Sequence, residues 1–257
     1  MVEKLLVING CSHSSGSEIS GPLQGDNREC RDNSFGAVLA AQLGRRPVHL
    51  AMPGGCNDWI ARITAAWIGD HAEQLRSGEI DAVFLIHWTG AERWEYRFRD
   101  HPFDQQEYID YEYDQCYRSF THLSENVNQL GEWPKRVYDT MNHSFVMDEE
   151  FWSDNKIKNV IFTQELLKSQ GCRYWFGNAS TAFNAGSRTP TFNSLFKLLD
   201  QQLFPHHSAE DKSFYFMCKA LGFKNQDPLE RIWHLGRDAH SYYAAWLREQ
   251  WRELGIA

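Results

Sequence analysis

A chain of 257 residues, 42% of them hydrophobic, is long enough to bury the core of one large domain or two small ones and is not a peptide module. Its 34 Asp and Glu against 26 Lys and Arg give a formal charge of −8, which excludes a basic face for nucleic acid or anionic lipid. Aromatic residues reach 14%, with ten Trp, more than ordinary core filling asks for.

In chain order, Lys4 to Ile8 is a Leu-rich, β-branched run with no polar alternation, the pattern of a strand covered on both faces. Phe35, Val38, Leu39 and Leu43 have helical spacing, with Asn33 or Ser34 as cap and Gly44 as stop. Pro47 to Ala51 reads as a second strand, Pro53-Gly54-Gly55 as a turn, and Ile60, Ile63, Ala66 and Trp67 as an amphipathic helix. Asp81 to Trp88 is a third buried strand. Residues 90–154 break the rhythm, rich in acids and aromatics with no clear strand, and are expected to form a helical cap. Ile157 to Ser169 is a helix, Cys172 to Phe176 a fourth strand and Tyr242 to Leu254 a closing helix.

Strands alternating with helices predict a three-layer α/β/α, flavodoxin-like, mostly parallel sheet with a helical insertion after strand 3, the whole of 1–257 forming a single domain. The ligand crevice of such a sheet lies outside the carboxyl ends of its strands. The apolar run at the N-terminus is too short for a secretory signal, and no window approaches the roughly 18 apolar residues of a membrane span, so a cytoplasmic protein with no membrane partner is expected. Cys11, Cys30, Cys56, Cys116, Cys172 and Cys218 stand singly, as free thiols do in a reducing compartment. His206, His207 and His234 have no carboxylate or Cys at ligand spacing, so neither a metal nor another cofactor is expected.

Two segments carry chemistry. Gly10-Cys11-Ser12-His13-Ser14-Ser15-Gly16 at the end of the first strand holds a hydroxyl between two glycines, where backbone N–H groups surround it, although a plain Gly/Ser-rich surface loop has the same composition. Gly236-Arg237-Asp238-Ala239-His240-Ser241 stands before the last helix. An Asp two residues from a His on one loop can fix the imidazole tautomer, and an Asp there also serves as a helix cap.

Together these segments resemble the SGNH (GDSL-like) hydrolases, in which Gly-x-Ser-x-x-x-Gly follows strand one and Asp-x-x-His or Asp-x-His precedes the last helix. The resemblance implies Ser12 as nucleophile, His240 as general base and Asp238 as its orienter. It further implies an oxyanion hole from the N–H groups of Ser12 and of Gly54 or Gly55, in the second block Ala51-Met52-Pro53-Gly54-Gly55-Cys56-Asn57-Asp58. The third block departs from the family's Gly-x-Asn-Asp, reading Trp88-Thr89-Gly90-Ala91-Glu92-Arg93. Asn57 either replaces the missing Asn from the neighbouring loop or caps the helix near Trp59.

Cys11 is a weaker nucleophile candidate, expected to pack inward. His13, Thr89 and Arg93 line the mouth as substrate-binding residues, with Arg93 either free for a substrate carboxylate or sugar hydroxyl or paired with Glu92, Glu95 or Asp58. His87 belongs to the core. The expected activity is hydrolysis of a small-molecule or carbohydrate ester. An O-acyltransferase would use the same residues, and a non-catalytic glycan- or protein-binding module would keep the fold alone. The insertion concentrates the charge, with 15 acids against 6 bases and 14 aromatics in 90–154, among them Trp94, Tyr96, Phe98, Tyr111, Tyr113, Trp133 and Trp152. An acidic aromatic lid of this kind is expected to repel anionic substrates.

Overall fold

The computed structural model describes residues 2–19, 27–91, 93–97, 117–120, 149–183, 189–226 and 234–256. Its centre is a four-stranded, wholly parallel sheet in the order β2-β1-β3-β6, from β1 (Glu3–Asn9), β2 (Arg46–His49), β3 (Ile80–Trp88) and β6 (Arg173–Asn178). Successive side chains of a strand face opposite layers. Leu5 and Val7 accordingly enter one core with α4 (Asn57–Asp70) and α6 (Glu149–Ser169), while Leu6 and Ile8 enter another with α3 (Phe35–Gln42), α8 (Phe214–Ala220) and α9 (Arg237–Glu253). This is the three-layer α/β/α arrangement expected. The remaining described helices are α1 (Ser12–Ser15), α2 (Arg28–Asp32), α5 (Ala72–Ser77) and α7 (Pro190–Phe196).

The local signals act as read at α3, where Ser34 Oγ accepts from Ala37 N and the chain leaves through Gly44 at φ 64°. At α4 the cap is Cys56, whose Sγ accepts from Trp59 N at 3.4 Å. Asn57 is the first helical residue and its side chain is employed elsewhere.

Both sheet edges are blunted. β2 is short, carries Pro47 without an N–H and offers the exposed Arg46, while along β6 Phe176 N donates outward to Leu203 O at 2.9 Å.

Two expectations need correction. The insertion contains strand where a helical cap was expected: β4 (Trp94–Arg97) and β5 (Tyr117–Phe120) pair antiparallel, and the acid-rich end from Glu149 belongs to α6. The remainder of the expected cap, and the side chains of Trp94, Tyr96, Phe98, Tyr111, Tyr113 and Trp133, lie outside the described residues. Trp152, 4% exposed, packs in α6 as a core residue. The closing helix, expected from Tyr242, begins at Arg237 behind Gly236 and so takes in both Asp238 and His240. That shift of five residues decides what the two can do.

Candidate active site

The site is built outward from the end of β1. Asn9 Nδ2 donates to Ile60 O and Thr64 Oγ1 while its Oδ1 accepts from Gly10 N at 2.7 Å, tying the strand end to α4. Gly10 then turns the chain at φ 151°, where an added Cβ would lie 2.2 Å from Ser14 Oγ and 2.9 Å from His87 O. Gly10→Ala combines a forbidden backbone region with a clash against main chain and is expected to cost about 3 kcal/mol or more, read as a lowered urea midpoint. A midpoint within error of wild type would show that the turn is laxer than it looks.

Ser12 opens α1, 9% exposed, behind Cys11, which is buried as expected of a packing residue. Among the described residues neither Ser12 Oγ nor Ser12 N has a hydrogen-bond partner, so hydroxyl and amide are both available. α1 ends on Gly16 at φ 75°.

The structure does not place His240 as a general base. Its Nδ1 accepts the Phe35 N–H at 3.0 Å, the ring stacks on Phe35, and it is 1% exposed. An accepting Nδ1 puts the proton of the neutral ring on Nε2, the atom that a general base must keep free. Burial, with the nearby His234, lowers its pKa to about 3. Asp238 is exposed, and among the described residues no hydrogen bond or ion pair joins it to His240. The cause is the helix: residues two apart point about 200° apart, so when His240 faces the core Asp238 must face water.

The carboxylate–imidazole pair that does form was not read from the sequence. His234 Nδ1 lies 2.7 Å from Glu18 Oε2, with side chains 19% and 10% exposed. Glu18 has φ 63° and is the one non-glycine with positive φ among the described residues. Such a backbone costs of order 1–3 kcal/mol and persists only where its surroundings enforce it. His234 is held by its own main chain, its O accepting from Gln226 N at 2.9 Å. Its ring meets that of His13 edge-on at 5.4 Å between centroids, which places the pair beside the residue that follows Ser12. Among the described residues no hydrogen bond joins Ser12 Oγ to His234.

The other loops divide the expected oxyanion donors. Pro53-Gly54 form a turn in which Gly55 N donates to Met52 O at 2.9 Å, with Gly54 at φ 74°. Gly55 is therefore spent, while Gly54 N has no partner among the described residues. Asn57 is also spent: its Nδ2 donates to Gly90 O at 3.1 Å and Thr89 O at 3.4 Å, and its Oδ1 accepts from Thr89 N. It clamps the loop after β3 instead of facing substrate.

Thr89 is fully buried, its Oγ1 unpartnered. His13 is 8% exposed, and burial, His234 and the positive charge of Arg93 hold its pKa well below the usual value, so the ring is neutral. His87 is the core residue expected, its Nε2 2.9 Å from Tyr243 OH and its pKa lowered to about 3 by burial. Asp58 does not pair with Arg93, since Asn155 and Asn159 donate to it. Glu92 and the Glu95 side chain lie outside the described residues. Among the described residues no cluster of His, Cys, Asp and Glu could hold a metal ion, Cys11, Cys30, Cys56, Cys172 and Cys218 are free thiols, and no helix is long and apolar enough to cross a membrane.

The sequence model of a family of unknown function (DUF6071) matches residues 20–189. No curated protein matches. Among solved structures, one described as the crystal structure of TesA aligns over 98% of this chain and 99% of its own, at 13% identity and a TM-score of 0.45, too distant to bear on activity.

Proposed function

The chain belongs to this family of unknown function, DUF6071, and we propose that it is a metal-independent serine hydrolase of carboxylic esters with Ser12 as nucleophile, His234 as base and Glu18 as the orienting carboxylate. The observation that carries the reading is the Glu18–His234 hydrogen bond beside the Ser12 turn, made by the one strained non-glycine backbone among the described residues. The sequence resemblance to SGNH hydrolases at the Ser12 motif points the same way.

In the neutral state His234 donates from Nδ1 to Glu18, which leaves Nε2 to accept the Ser12 proton as Oγ attacks the ester carbonyl. The N–H groups of Ser12 and Gly54 receive the oxyanion, each worth a few kcal/mol at the transition state. Collapse expels the alcohol, which takes the proton from His234. Water, deprotonated by the same nitrogen, then releases the acyl group and restores Ser12. An O-acyltransferase would differ only in replacing that water with an acceptor hydroxyl.

A fluorophosphonate probe and 4-nitrophenyl acetate test this directly. Wild type is expected to label and turn over, and Ser12→Ala to do neither above background. A wild type that matches Ser12→Ala in both assays would overturn the proposal.

A further inference from the structure

Among the described residues, the buried polar atoms near the carboxyl ends of β1 and β3 that have no hydrogen-bond partner include Nδ1 of His13, Oγ1 of Thr89 and Nε of Arg93, beside Ser14 Oγ and Trp88 Nε1. Asn57 takes up the Thr89 amide and carbonyl, so only the hydroxyl is left over. Dry, unpaired polar groups are costly and call for an explanation. The chain places His13, Thr89 and Arg93 at the same end of the sheet. Thr89 directly follows β3, the neighbour of β1, His13 follows Ser12, and the Arg93 charge acts on the His13 ring.

We infer that the crevice selects an ester bearing a carboxylate, whose oxygens accept from Arg93 Nε and Thr89 Oγ1 beside the Ser12 hydroxyl. The inference rests on the ester-hydrolase reading of Ser12. A sugar hydroxyl would fill the hydrogen bonds but leave the guanidinium charge unmatched, for Arg93 has no ion pair among the described residues. Arg93 is a cation without an ion pair among the described residues, the Glu18 carboxylate is taken up by His234, and the chain carries −8 overall. That balance suits a singly charged carboxylate and disfavours a doubly charged phosphate.

The test compares 4-nitrophenyl acetate with mono-4-nitrophenyl succinate, whose carboxylate lies on the acyl side, and with 4-acetoxybenzoate, whose carboxylate lies on the alcohol side. One of the two acidic esters is expected to exceed the acetate in kcat/KM by about tenfold or more, and to identify the side that meets Arg93. Arg93→Gln is expected to bring that ratio near unity and Arg93→Lys to retain part of it, with circular dichroism checking the fold of each. Wild type that prefers the neutral ester, or a preference that survives in folded Arg93→Gln, overturns the inference while leaving the hydrolase reading intact. Should Arg93→Gln not fold, the wild-type ratio and its decline in Arg93→Lys decide. Binding of the two acidic esters to Ser12→Ala by calorimetry separates the layers: Arg93-dependent binding without wild-type turnover would sink the hydrolase reading and keep the carboxylate site.

Discussion

Glu18→Gly is expected to lower ester turnover by about 10²–10⁴-fold while leaving global stability within about 1 kcal/mol of wild type. The two halves have separate causes. Glycine adopts the φ of 63° at that position without strain, which returns about 1 kcal/mol, while the lost hydrogen bond to His234 costs about the same. Turnover suffers because His234 loses the acceptor that fixes its tautomer and stabilises the imidazolium formed on proton transfer. His234→Ala is expected to fall by at least about 10³-fold, and Asp238→Asn, on the solvent side of α9, to stay within about twofold of wild type. Turnover and thermal midpoint measured on the same preparations settle the matter. Full activity in Glu18→Gly, or a loss in Asp238→Asn with the fold intact, would remove Glu18 from the mechanism.

Acidification is expected to unfold the protein well above the range in which carboxylates titrate. His87 and His240 have pKa values lowered to about 3 by burial, and His13 is held well below its usual value by burial and its charged neighbours. In the unfolded chain all three titrate near 6.5. Below that pH the unfolded state binds protons that the native state refuses, so stability is full above about pH 6.5 and is lost as pH falls toward 3. His87 and His240 each contribute a slope of about 1.4 kcal/mol per pH unit, about 3 for the two, and His13 acts in the same direction. By pH 5 the loss from these two is about 4 kcal/mol, a large part of the total stability of an ordinary domain. Urea midpoints at about pH 7 and pH 5 measure it, and equal midpoints would mean that the imidazoles are hydrated or already charged in the native state.

Much of the fold was legible because its signals are local. β1 and β3 announce themselves as unbroken apolar runs, and α3 as helical spacing between Ser34 and Gly44. Two of the three expected triad members, Asp238 and His240, do not meet in the fold for an equally physical reason. Placing the start of the last helix at Tyr242 left Asp238 and His240 on a loop, where residues two apart can meet. The stripe of Ala239, Tyr243, Ala244, Leu247 and Trp251 runs one turn earlier, and His240 lies on it, which marks a core histidine. Glu18 and His234 stand 216 residues apart, and the spacing of either carries no trace of the other. Asn57 was drawn toward the oxyanion hole by composition. Its use as a clamp on Thr89 and Gly90 depends on how α4 and β3 come together, which only the folded chain fixes.

The blunted edges of the sheet also work against edge-to-edge pairing of copies. A parallel sheet with a free edge invites a second copy to continue its ladder, the first step toward fibrils. Here Pro47 interrupts one margin and the Leu203 carbonyl occupies part of the other. Backbone pairing with a second copy would therefore have to begin at a margin that lacks one N–H or already has one satisfied, which raises the cost of extending the sheet from either side.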